Sequence, residues 1–122
     1  MKKTAVIISL SALAQETRLD IFRYLVQKGP AGASAGQIGE HFGLPLPTLS
    51  FHLKTLQQAG LLERQRQSRS LIYSVNFAAM NALLGYLTEN CCAGQPQDCA
   101  IPRCETDNSM QDTSVNLKRS IP

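Results

Sequence analysis

All four cysteines of the chain, Cys91, Cys92, Cys99 and Cys104, lie beyond residue 90; the first two are adjacent and the later spacings are seven and five residues. Neighbouring cysteines make a poor disulfide, because their Cα atoms sit ~3.8 Å apart across a trans peptide against a usual ~4.4–6.8 Å. Their thiolates are soft donors, which suits a thiophilic ion. Cys91 and Cys92 can ligate one centre where a helix end frays, and Cys99 then supplies a third sulfur. Three sulfurs in a pyramid match trivalent arsenic or antimony, whose lone pair fills the fourth corner. Arsenous acid is neutral and condenses with three thiols, releasing water, so no net charge is left to compensate. Four sulfurs, with Cys104 added, match tetrahedral zinc or cadmium. Thiol redox sensing uses the same residues without any ion, and Cys104 is otherwise a spare thiol. A thiol enzyme would need a Cys-x-x-Cys beside a strand–helix turn, or a base near the thiol. The segment has neither, and no histidine lies beyond His52. The chain therefore reads as a non-enzyme.

A second constellation lies in the middle of the chain. Leu49, Leu53 and Leu56 repeat at helical spacing, which turns Thr48, Ser50, Phe51, His52, Lys54 and Thr55 outward. A helix of this kind fits the DNA major groove. There Thr48, Ser50 and His52 can exchange hydrogen bonds with base edges, Phe51 can meet a thymine methyl, and Lys54 adds positive charge. Arg64, Arg66 and Arg69 follow along a strand–turn–strand pattern, where cations suit phosphate or minor-groove contact. His41 reads as ordinary surface. A solvated polar surface with no DNA role, or a constitutive architectural DNA-binding protein, would use the same residue types.

The elements that must position these groups follow from periodicity and breakers. Residues 15–28 carry Leu19, Phe22, Leu25 and Val26 at helical spacing and stop at Gly29-Pro30. Residues 29–36 are rich in Gly, Ala and Ser and read as a loop. Ser34 caps a short helix to Phe42, and Leu44-Pro45-Leu46-Pro47 breaks the chain before a helix over 47–59 that Gly60 ends. Two helices across a tight break form a helix-turn-helix. Residues 61–66 and 71–76 read as a hairpin turned by Gln67–Ser70, and Asn76 caps a last helix over 77–90 with Met80, Leu83, Leu84 and Leu87 in one stripe. The order is that of a winged helix-turn-helix, mainly α with a small β-hairpin.

With 122 residues and 43% apolar content, the chain suits about one domain and excludes a multi-lobed enzyme. No apolar run approaches the ~20 residues of a membrane span. Net charge is only +3, but it is unevenly placed: nine Lys/Arg face five acids in residues 1–90, against three and four beyond. The later segment has no aromatic residue and half of the prolines. This break divides the chain into a folded body, 1–90, and a poorly ordered cysteine-containing tail, 91–122. Residues 1–14 carry a charged start, an apolar centre and Ala12-Leu13-Ala14, a secretory pattern, while Val6, Leu10 and Leu13 equally fit an amphipathic helix. A DNA reader belongs in the cytoplasm, where thiols stay reduced, and the helix is the expected reading.

The run Ala12-Leu13-Ala14-Gln15-Glu16-Thr17-Arg18-Leu19-Asp20-Ile21-Phe22-Arg23-Tyr24-Leu25 resembles the opening of the arsenical-resistance (ArsR/SmtB) repressors. So does Pro47-Thr48-Leu49-Ser50-Phe51-His52-Leu53-Lys54-Thr55-Leu56-Gln57-Gln58-Ala59-Gly60-Leu61, followed by a basic hairpin ending Ile72-Tyr73-Ser74. The resemblance spans roughly residues 5–90, and it places Ala12-Leu13-Ala14 inside the family's pattern. It implies a homodimer, built through the first and last helices, that blocks transcription and leaves operator DNA when an inducer binds. Val6/Leu10/Leu13 and Met80/Leu83/Leu84/Leu87 are the pieces for that interface, or equally for the chain's own core. The best-known arsenic sensors of the family carry Cys-x-Cys on the helix before the recognition helix, yet residues 34–46 hold no cysteine. The family's metal-sensing His/Asp pattern is missing from residues 77–90 as well. Some similar members place a vicinal pair and a third cysteine after the last helix. The expected inducer is therefore As(III), with Sb(III), held by Cys91, Cys92 and Cys99; zinc or cadmium and thiol redox are the alternatives.

Overall fold

Leu49, Leu53 and Leu56 anchor α4 (Leu46–Gln58), and each is at most 1% exposed. The structure, a computed structural model, describes residues 1–94. Around α4 the order is α1 (Lys3–Leu13), α2 (Glu16–Lys28), a 3-10 turn Gly29–Ala31, β1 (Ala33–Ser34) and α3 (Ala35–Phe42) before it. β2 (Leu62–Gln67), β3 (Ser70–Val75), α5 (Phe77–Leu87) and a 3-10 turn Cys91–Gly94 follow it. This is the winged helix-turn-helix expected. Met1–Leu87 forms one unit, and a second begins at Thr88.

The core joins α4 to Ile21, Phe22 and Leu25 of α2, Ile38 of α3, Leu61 and Leu62, and Tyr73 and Val75 of β3. Leu19, expected inside, is exposed, because Ile21 takes the inward position and two residues turn a helix by about 200°. In α1 the inward residues are Val6, Ser9 and Ala12, so the expected stripe of Val6, Leu10 and Leu13 holds only at Val6; Leu10 is exposed and Leu13 half-buried. Among the described residues no helix is long and apolar enough to cross a membrane.

The helix-turn-helix is built by local chemistry. Ser34 Oγ accepts from the Gln37 amide at 3.1 Å while Gln37 Oε1 accepts from the Ser34 amide at 2.9 Å, a reciprocal cap that starts α3. Gly43 ends α3 in the left-handed region (φ 64°), and Pro45 precedes the first turn of α4. Proline there needs no amide donor, so the helix starts at Leu46, one residue before Pro47.

Strands β2 and β3 pair antiparallel from Leu62↔Val75 to Gln67↔Ser70, which leaves only Ser68 and Arg69 in the loop, two residues fewer than expected. The segment 29–36 is not all loop: β1 adds to the other edge of β3 through Ala33↔Tyr73 and Ser34↔Ile72. A two-residue strand is too short to show a period of two. Gly32 permits it, since a Cβ there, at φ +67°, would lie 2.2 Å from the Tyr73 carbonyl oxygen.

The last helix is shorter than its sequence pattern. Asn76 Oδ1 accepts from the Ala79 amide at 3.1 Å and starts α5 as expected, but the helix stops at Leu87 rather than Asn90. Asn90 takes φ 58°, a left-handed conformation that no α-helix continues through and that Asn tolerates. Cys91 and Cys92 therefore do not close α5 but sit in the separate turn, where the Cys91 amide donates to the Thr88 carbonyl at 2.9 Å. Cys99, Cys104 and most of the expected tail lie outside the described residues.

Gly32→Ala is expected to destabilise the protein by several times the effect of an ordinary surface change, because β1 must part from β3 or strain its backbone. Gly36→Ala, in the first turn of α3 where a Cβ meets nothing closer than 3.9 Å, is expected to be neutral or stabilising by up to ~0.5–1 kcal/mol. Denaturant midpoints of the two variants measure the contrast.

Candidate nucleic-acid interface

Burying one face of α4 dictates what the other presents. Thr48, Ser50 and Lys54 are exposed, and Phe51 is 62% exposed although aromatic. Thr55 is half-buried, and its Oγ1 donates to the Phe51 carbonyl at 3.0 Å, so its hydroxyl is occupied by its own helix. The outward placement expected of His52 is corrected by the structure: the ring is 9% exposed and turns toward α2. Its Nδ1 lies 3.5 Å from a terminal guanidinium nitrogen of Arg18. Position 52 falls beside the inward positions 49, 53 and 56 on the helix surface, and the ring closes the edge of the leucine stripe. Burial, and then the Arg18 charge, hold its pKa below the ordinary value of 6.5, which favours the neutral ring.

Arg64 and Arg66 stand on β2 and Arg69 in the loop, all exposed. Register decides their company. Arg64 pairs with Tyr73 and Arg66 with Leu71, so both arginines share the sheet face of those two side chains. That face meets α4 in a cleft of about 600 Å³ bordered by Ser50, Lys54, Gln57, Gln58, Arg64, Leu71 and Tyr73. Lys54 and Arg64 thus converge on one concavity whose border holds no carboxylate. Such a cleft suits a phosphodiester, while the open face of α4 suits base edges.

Gln57, Gln58, Leu71 and Tyr73 were not among the residues expected at the site. Gln58 lies four residues after Lys54 and Gln57 seven after Ser50, a helical signal that was available. Leu71 and Tyr73 carried no such signal, because their place depends on pairing across the hairpin. His41 is exposed, as expected of surface, and stacks on Tyr24 with ring centroids 4.4 Å apart. Of the candidate sulfur ligands, Cys91 is half-buried in its turn and Cys92 is its neighbour in the same turn. Among the described residues no three His, Cys, Asp or Glu side chains cluster as a metal site.

Comparison with known proteins agrees with this geometry. Residues 13–65 match the model of a helix-turn-helix domain family. The HTH-type transcriptional regulator YgaV of Escherichia coli (strain K12) is 32% identical over 83 residues, 68% of this chain and 82% of that protein. The transcriptional repressor SdpR of Bacillus subtilis (strain 168) is 32% identical over 76 residues, 62% of this chain and 81% of its own. An ArsR-like transcriptional regulator from Rhodococcus sp. RHA1 superposes with a TM-score of 0.62 at 27% identity, over 69% of this chain and 76% of that one. The homodimeric winged helix-turn-helix DNA-binding domain of Mb0332 from Mycobacterium bovis does so with 0.57 at 27% identity, over 71% and 81%. With an exposed recognition helix, a basic wing and these relatives, the chain belongs to the ArsR family of winged helix-turn-helix transcriptional regulators.

Proposed function

We propose that the chain is a homodimeric transcriptional repressor that occupies operator DNA and leaves it when trivalent arsenic, or antimony, binds its C-terminal cysteines. The observation that carries the DNA part is the convergence of Lys54 and Arg64 beside the open face of α4 that holds Thr48, Ser50 and Phe51. Arg66 and Arg69 extend the same charge along the wing. A dimer would set two such helices about one DNA turn (~34–36 Å) apart and favour a palindromic site.

The dimer reading rests on apolar side chains that the subunit leaves uncovered. Ile7, Ile8 and Leu10 on α1 and Leu84 and Leu87 on α5 are all exposed, while Val6 and Leu83 of the same helices are used inside the chain. The expected stripes are therefore divided between core and surface, and the exposed half is what a second subunit would cover.

The inducer reading rests on donor chemistry. Cys91 and Cys92 are consecutive in one short 3-10 turn, separate from α5. With Cys99 they offer three soft sulfurs, the number that trivalent arsenic and antimony take. Cys104 adds the fourth thiol that zinc or cadmium would need, which sustains a divalent-ion reading as the alternative. Thiol redox sensing by the same cysteines is a further alternative. Release requires that the inducer bind the DNA-incompetent form better; by linkage, DNA then weakens inducer binding by the same factor.

Arg66→Ala is expected to lower the salt dependence of DNA binding by about 0.9 in log–log slope for each phosphate it leaves unneutralised, hence about 1.8 for a dimer, and to weaken all sequences alike. Phe51→Ala should instead narrow the gap between preferred and scrambled duplexes; fluorescence anisotropy over a salt series separates the two effects. Substituting Ile7 and Leu84 by Glu is expected to convert the dimer to monomer by analytical ultracentrifugation.

In gel-shift titrations of the full-length protein, Cys91→Ser, Cys92→Ser and Cys99→Ser should each abolish release by arsenite while leaving DNA affinity unchanged, and Cys104→Ser should respond like the parent. X-ray absorption of arsenite-loaded protein should find three sulfurs at one distance. Four sulfurs around added zinc, with no arsenite response, would favour the divalent reading.

A further inference from the structure

One side chain ties three helices together. Arg18 stands in the first turn of α2, where Gln15 Oε1 already caps its backbone amide at 2.8 Å. Its guanidinium reaches two further elements. Nε donates to the Ala12 carbonyl at 2.7 Å, in the last turn of α1, where carbonyls lack helical partners and the helix dipole favours a cation. A terminal nitrogen lies 3.5 Å from Nδ1 of His52, in the middle of α4. A guanidinium can only donate, so this long contact requires a neutral imidazole carrying its proton on Nε2. Arg18 also borders a cavity of about 370 Å³ shared by Ile7, Ile8 and Ser11 of α1 with Thr55 and Gln58 of α4. The exposed apolar residues of α1 and the recognition helix thus meet at the wall that Arg18 completes.

We propose that Arg18 is a positioning residue for DNA recognition: by holding the end of α1 and the His52 ring with one guanidinium, it fixes the angle of α4 and couples that angle to α1. It touches no DNA. The groups bearing on His52 are few. Arg18 from α2 is the charged one, and Phe51 of the same helix lies edge-on at 5.7 Å between ring centroids. The other charged or titratable side chains of the neighbouring elements (Lys3 of α1, Glu16, Asp20, Arg23 and Lys28 of α2, Glu40 and His41 of α3, Lys54 of α4, Glu63, Arg64 and Arg66 of β2) are exposed, apart from the half-buried Tyr24 of α2. Burial and the Arg18 charge hold His52 below its ordinary 6.5, so the contact is intact at neutral pH. As pH falls through that lowered value, the ring gains a proton, Nδ1 ceases to accept, and two cations face each other.

The proposal rests on the DNA reading above, and its test separates the two. The full-length parent, Arg18→Gln, Arg18→Lys and His52→Gln are titrated by fluorescence anisotropy between about pH 7.5 and about pH 5.5 at fixed ionic strength. The probes are a duplex selected from a random pool by the parent and its scrambled counterpart. The parent should lose roughly tenfold in affinity for the selected duplex as pH falls, with no loss on the scrambled one, where added positive charge helps. His52→Gln keeps an acceptor for Arg18 and should bind normally at neutral pH with a flat profile. Arg18→Gln should lose roughly tenfold on the selected duplex alone, and Arg18→Lys, whose donors all sit on one nitrogen in place of the planar fork, should not restore it. By NMR without DNA, the His52 imidazole of Arg18→Gln should titrate higher than in the parent. A His52→Gln profile equal to the parent's, or an Arg18→Gln protein that discriminates as well as the parent, overturns the coupling. Should Arg18→Gln fail to fold, the His52→Gln profile decides. A parent that prefers no sequence overturns the DNA reading itself.

Discussion

One helix must serve as both core and reader. The burial of Leu49, Leu53 and Leu56 fixes the rotation of α4 about its own axis, and each side chain contributes about 1.5–3 kcal/mol to holding it. With rotation fixed, there is no freedom left in what faces outward: Thr48, Ser50, Phe51 and Lys54 present themselves because the leucines cannot. The same constraint draws His52 in. It stands at the margin between the two faces, and a ring that could meet a base instead meets a guanidinium.

The wing completes the site through a different kind of constraint. Strand β2 buries only Leu62 and leaves its other five residues in water, as suits an edge strand that must not recruit another sheet. Its charges would be ordinary surface were it not for register. Pairing Arg64 with Tyr73 brings the arginine to the face that meets α4, and so to Lys54. The positive potential of the site is therefore a product of strand pairing, not of the net charge, which is only +3.

An inducer held by the C-terminal cysteines, as proposed, would have to act on this surface from a distance. In the proposed dimer the route would run through α1 and α5, which leave apolar groups exposed. Arg18 gives that route a physical form at its far end, because a shift of α1 moves the Ala12 carbonyl and hence the guanidinium that His52 accepts from. This contact, one guanidinium donating through two of its nitrogens to two acceptors, is placed directly on the recognition helix.

Much of this was legible in the residues alone. The periodic leucines, the Ser34 cap, the proline break and the alternation of Tyr73 and Val75 each act over a few neighbouring residues, and local rules suffice for them. So the helix order, the wing and the outward placement of Thr48, Ser50, Phe51 and Lys54 could all be read from the chain. Tertiary structure decided what depends on distant partners. It decided that Leu19 and Leu10 stay outside while Ile21 and Ser9 go in, that two residues at Ala33 form a strand, that α5 stops at Leu87, and that His52 turns inward to Arg18, thirty-four positions away. Periodicity gives the width of an apolar stripe but not its phase against a neighbour, and only packing, where each buried side chain excludes another, sets that phase.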